Sequence, residues 1–152
     1  MSGVGEPANV HASAIVVGTT GLVFLGPSGS GKSARALACL AEAHALGLFS
    51  ALVADDQILV RTAGGVVLAE APAAIAGRIE RRGTGLLAMP YLKTAVVHLV
   101  VLCALPGTAE RLPEPPEPVM LAGVGPLPAL HAGGETATLA MVAACRPDLL
   151  RL

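Results

Sequence analysis

Leu22-Val23-Phe24-Leu25-Gly26-Pro27-Ser28-Gly29-Ser30-Gly31-Lys32-Ser33-Ala34-Arg35-Ala36-Leu37-Ala38-Cys39-Leu40-Ala41 places an apolar run, a glycine-rich octapeptide and a stretch of good helix formers in immediate succession. The octapeptide Gly26 to Ser33 fits GxxxxGK[ST] in full. Its context is the one that the chemistry requires: glycines let backbone N–H groups converge on phosphate oxygens, and a helix starting at the lysine adds the favourable end of its dipole. Gly26, Pro27, Ser28, Gly29, Ser30, Gly31, Lys32 and Ser33 are therefore expected to cradle a nucleotide's phosphates. Lys32 should reach the β- and γ-phosphates, and Ser33 should offer its hydroxyl to Mg²⁺. The helix is predicted over 34–45 with Leu37, Leu40 and Ala41 on its inner face.

Outward from this loop, Ser13–Val17 and Leu22–Leu25, joined by Gly18-Thr19-Thr20-Gly21, read as a hairpin, and residues 1–10 as a flexible lead-in to a single domain over 11–152. Phe49–Ala54 reads as a strand ended by Asp55-Asp56, two of the three aspartates in the chain. A carboxylate at the carboxyl end of a strand beside such a loop is placed to hold Mg²⁺, and a second can take a proton from an attacking hydroxyl. Successive strand residues face opposite ways, so both acids serve one site only where the chain bends. Gln57–Thr62 and Val66–Ala69 form another predicted hairpin, Pro72 opens a short helix through Arg78 and Glu80, and Gly83–Met89 and Ala95–Cys103 are later strands. The segment 106–118 carries five prolines and reads as irregular; Glu135–Cys145 reads as a closing helix.

Composition excludes several classes. Of 152 residues 53% are hydrophobic and 14% charged, too apolar for a disordered chain. Lys32 and Lys93 are the only lysines and the net charge is −1, so polymeric nucleic acid is not an expected partner. The apolar stretches 36–54 and 95–105 are broken by Glu42, His44 and Gly47 and by His98, and no signal peptide is visible, so the reading is a cytoplasmic protein without a membrane span. Cys39, Cys103 and Cys145 lack metal or disulfide spacing and are expected to be buried, reduced thiols. Asn9 is the sole asparagine, so the guanine-reading NKxD element is absent, as are the HRD and DFG elements of eukaryotic-type kinases. A compact P-loop kinase and a nucleotide-gated binding module both remain.

The order VHASAIVVGTTGLVFLGPSGSGKS, LVADDQILV and AEAPAAIAGRIERRGTGLL, from His11 to about Val101, resembles the catalytic domain of the HPr kinase/phosphorylase family in a short form without the regulatory N-terminal domain. His11 matches the histidine that opens the family's strand pair, Ala54-Asp55-Asp56 its ADD, and Glu80-Arg81-Arg82-Gly83-Thr84-Gly85 its E-x-R-G-x-G segment. The resemblance implies an α/β P-loop kinase-like mixed β-sheet flanked by helices, using ATP and Mg²⁺ to phosphorylate a serine of the phosphocarrier protein HPr, with phosphorolysis as the reverse activity. It further implies a homo-oligomer, a hexamer. Ser33, Asp55 and Glu80 would hold the metal, with Asp56 as general base, Lys32 on the transferring phosphate, Arg82 on that phosphate or on the protein acceptor, and His11 orienting a phosphate or tuning the base. Asp55 and Asp56 can exchange roles at this level of reading. A nucleotide-dependent regulatory module and a kinase of a small hydroxylated metabolite are the competing functions. Where longer members carry a flexible loop with an arginine, Met89–Thr94 offers only Lys93, a departure that bears on phosphorolysis more than on kinase activity.

Overall fold

The computed structural model describes residues 6–81, 83–105, 107, 114–133 and 138–152. Strands β1 (Ala8–Val10), β2 (Ala12–Val17) and β3 (Thr20–Leu25) precede helix α1 (Lys32–Ala45). Next come β4 (Ser50–Ala54), β5 (Ile58–Ala63), β6 (Val66–Glu70), a single 3₁₀ turn at Ala73–Ile75, β7 (Arg78–Arg81) and β8 (Gly85–Ala88). The chain continues through β9 (Thr94–Val96), β10 (Leu99–Cys103), β11 (Val119–Leu121), β12 (Val124–Leu127) and β13 (Ala129–Ala132) to helix α2 (Thr138–Cys145).

The central sheet has the order β13-β10-β3-β2-β4, with β10 parallel to both β13 and β3, and β2 antiparallel to β3 and β4. It is the mixed sheet that the resemblance implies. All six residues of β2 are buried, as a strand covered on both faces must be. On one face Ile15, Val17, Leu22, Phe24, Leu52, Leu99 and Val101 pack against Ala36, Cys39, Leu40 and Ala43 of α1 and Leu139 and Val142 of α2. On the other face Ala14, Val16, Val23 and Val100 meet Ile58, Val60, Val67 and Ala69 of a second, antiparallel sheet of order β1-β5-β6-β9. Both helices thus lie on one face of the mixed sheet, and strands cover the other.

Several local expectations are revised. Ala8–Val10, read as part of a loose lead-in, pairs with β5. The buried face of α1 is Ala36-Cys39-Leu40-Ala43, and Ala41 is exposed. Glu80 stands on a strand rather than a helix, because Gly77 at φ +75 turns the chain after the 3₁₀ turn and lets β7 pair with β8. The run Ala95–Cys103 is divided between the two sheets at Val97 and His98. The amide of Val97 donates to Val67 O at 2.8 Å, that of His98 to Gly21 O at 2.9 Å, and the amide of Gly21 returns a bond to His98 Nδ1 at 2.9 Å. A Cβ on Gly21 would stand 1.9 Å from Val96 O, so only glycine permits this approach.

Cys39 and Cys103 are buried as expected, but Cys145 is exposed at the end of α2. Burial pushes the Cys39 thiol up to about 12 and raises that of Cys103. Both are thereby held in the unreactive thiol form, since the thiolate is the nucleophile. Titration of the native protein with a thiol-reactive chromophore should therefore give one fast equivalent from Cys145, lost in Cys145→Ser, with the other two appearing only on unfolding. Three fast equivalents would contradict the burial of this core.

Candidate active site

The octapeptide leaves the end of β3 at Gly26, where the backbone passes so close to β10 that a Cβ would lie 2.3 Å from Cys103 O. Ser30 N–H closes a turn onto Pro27 O at 3.1 Å, Gly31 adopts φ +83, and Arg35 N–H makes the first helical bond to Gly31 O. These left-handed and tight positions require glycine and aim the amides of the first helical turn into a common concavity. Lys32 Nζ lies across the loop, donating to Gly26 O at 2.8 Å and Pro27 O at 3.1 Å. The cavity above measures about 550 Å³; Ser28, Gly29, Gly31, Lys32 and Ser33 line one side, and Asp56, Glu80 and Arg81 the other.

Two backbone irregularities bring Asp56 to this cavity and Asp55 to the Ser33 hydroxyl at its edge. Between Ala14 and Ile15 the pairing of β2 with β4 jumps from Ala54 to Leu52, leaving Val53 as an extra residue. Such a bulge re-aims the side chains that follow it. Leu52 packs on the helix side, Val53 and Ala54 both on the other, and Asp55 returns to the helix side. Asp55 is buried, and its Oδ1 accepts hydrogen bonds from Ser13 Oγ and Ser33 Oγ, each at 2.7 Å. Its Oδ2 takes a longer bond from the Glu80 amide at 3.4 Å. Asp56 then adopts φ +69, a left-handed conformation that aspartate tolerates better than most residues, and is exposed at the cavity. The bend required for both acids to serve one site is present.

The structure therefore brings together the phosphate loop, Ser33, Asp55, Asp56 and Glu80. His11 is exposed, and Ala12 N–H beside it donates to Asp56 O at 3.2 Å, so the histidine stands at the same sheet end as the second aspartate. Arg82 lies outside the described residues. Lys93 lines a different cavity of about 530 Å³ with Leu59, Glu70 and Tyr91.

Two residues here escaped the sequence reading. Arg81 lines the phosphate cavity, and Ser13 supports Asp55; the only signal for Ser13 was a lone hydroxyl in an otherwise apolar strand. Ser33 and Asp55 supply hard oxygen donors in the first helical turn and at the strand end, a set that suits Mg²⁺, which binds through one or two carboxylates and keeps water or phosphate for the rest of its shell. Among the described residues no three His, Cys, Asp or Glu side chains form an all-protein cage. Among the same residues no helix is long and apolar enough to cross a membrane.

No family model matches the chain. It is 30% identical over 99 residues to an HPr kinase/phosphorylase of Clostridium novyi, a match covering 60% of this chain and 30% of that protein. It is also 35% identical over 82 residues to one of Mycoplasmopsis pulmonis, covering 54% and 25%. The matched regions thus span between a quarter and a third of these curated relatives. Among solved structures, the Hpr(Ser) kinase/phosphatase from Coxiella burnetii superposes with a TM-score of 0.70 at 22% identity, over 93% of this chain and 90% of that one, and shares its fold.

Proposed function

We propose, from the premise that the chain is a relative of the HPr kinase/phosphorylases, that it transfers the γ-phosphoryl group of ATP to a serine hydroxyl of an HPr-like phosphocarrier protein in the cytoplasm. The observation that carries this reading is the convergence of Ser33, Asp55 and Asp56 on the phosphate loop.

The division of labour follows from burial. Asp55 is enclosed and already accepts two hydroxyl bonds and an amide bond, so it suits a fixed, charged support for Ser33 and a cation. Asp56 is exposed at the cavity, so it is the acid that an incoming hydroxyl can meet. In the forward direction Asp56 accepts the serine proton as the oxygen attacks the γ-phosphorus, and ADP leaves; in reverse the same group returns the proton. Lys32 moves from its loop carbonyls to the phosphate oxygens, and the loop amides fix the polyphosphate in line for attack. When bound, Mg²⁺ would supply neutralisation of the phosphate charge. Ser33, Asp55 and Glu80 would hold it. His11 would orient Asp56 or a phosphate, with Arg82 on the transferring group. By resemblance the working form is a homo-oligomer, a hexamer.

The test is direct. Incubation of the protein with γ-labelled ATP, Mg²⁺ and HPr should label HPr on serine, and chelation of the metal should abolish labelling. Tight nucleotide binding without label in HPr would favour a regulatory module, and consumption of a small alcohol instead would favour a metabolite kinase.

A further inference from the structure

Strand β2 carries one polar side chain among six buried residues, and it is completely enclosed. Ser13 Oγ has its partner in Asp55 Oδ1, 2.7 Å away. The same oxygen receives Ser33 Oγ at 2.7 Å, while Oδ2 meets the Glu80 amide at 3.4 Å. The carboxylate is thus held from three separate elements, but the holders differ in kind. Ser33 lines the phosphate cavity and is exposed to the demands of a bound cation. Ser13 does not line it and serves Asp55 alone. Whatever the Ser33 hydroxyl does on loading, Oδ1 keeps one donor whose position is set by the sheet.

The geometry points to Ser13 as a positioning residue that locks Asp55 in the rotamer presented to the metal of a magnesium–nucleotide complex. This inference rests on the reading of the cavity as a magnesium–nucleotide site. Ser13 touches neither nucleotide nor acceptor; it acts through the carboxylate, as groups behind metal-binding side chains do, and losses of about 10- to 100-fold in metal affinity are usual when they are removed.

The experiment is a Mg²⁺ titration of fluorescent ATP-analogue binding by the full chain, with the thermal midpoint recorded alongside. Ser13→Ala is expected to raise the Mg²⁺ concentration for half-maximal binding by about tenfold, with affinity in excess chelator held within about twofold. Ser13→Thr, which keeps the hydroxyl, should restore the requirement to within about threefold of the parent. Ser13→Cys fills the same space with a poor donor and should shift the requirement in the same direction as alanine, which keeps the test open if the alanine variant fails to fold. An unchanged Mg²⁺ requirement in the alanine or cysteine variant overturns the assignment. So does an equal loss of affinity with and without metal, the pattern of a purely structural serine. If the parent itself binds nucleotide with no Mg²⁺ dependence, the underlying reading of the cavity fails, and the role of Ser13 falls with it.

Discussion

Asp56→Asn should reduce phosphoryl transfer to HPr by about 10²- to 10⁴-fold while nucleotide affinity stays within about twofold. The substitution isolates proton transfer more cleanly than most. Asp56 holds φ +69, and asparagine is as well suited as aspartate to that left-handed conformation, so the backbone has no reason to move. The side chain is exposed, so no buried donor is stranded when its charge is removed. Alanine would mix loss of the base with loss of a residue type that tolerates the bend. Asp55→Asn is a different experiment, because it alters a buried acceptor for Ser13 and Ser33, and it should weaken metal-dependent binding as well as transfer. Single-turnover transfer of labelled phosphate, with binding measured separately, distinguishes the two. Undiminished transfer in Asp56→Asn would remove it as the base and leave the proton to another group.

Phe24→Ala should destabilise the chain by about 3–5 kcal/mol, the range found when a fully enclosed phenylalanine is cut back and its cavity only partly collapses. That is a large share of the roughly 5–15 kcal/mol by which domains are usually stable. Phe24 is the one buried aromatic residue: Phe49 and Tyr91 are 57% and 49% exposed, and there is no tryptophan. Phe24 stands on β3, at the middle of the mixed sheet, in the buried cluster that includes Ala36 and Ala43 of α1. It is the largest fully buried side chain among the described residues. Urea denaturation followed by circular dichroism reads the effect; a loss below about 1 kcal/mol would mean that the helix layer closes over the gap.

The order of elements around the phosphate loop was legible because it is written locally. Glycine spacing sets the loop, the following residues favour helix, and an apolar run ending in two acids marks the next strand. The bend at Asp56 was legible only as a requirement; what satisfies it is an unpaired Val53 and a left-handed aspartate, neither with a pattern in the sequence. Glu80 was read as helical because a proline opened the segment, but Gly77 turns the chain and pairing with β8 makes it a strand. β13 lies in a proline- and glycine-rich stretch and exists because β10 offers it a parallel edge, so tertiary pairing outweighs local preference. Ser13 stands in the sequence only as the first residue of an apolar strand. Its role depends on a residue 42 positions away, a distance that no periodicity spans.

The crossing at Val97 and His98 carries a consequence for how the molecule comes apart. Two consecutive amides are committed to opposite sheets, and Gly21 accepts one of them while its own amide is tied to the His98 imidazole. Parting the two sheets has to break one of these neighbouring bonds, at Val67 in one sheet or at Gly21 in the other, and Gly21 stands on the strand that feeds the phosphate loop. The bond at Gly21 lies five residues before Gly26, where β3 gives way to the octapeptide, so the tie between the layers and the entry to the loop occupy one short stretch of chain.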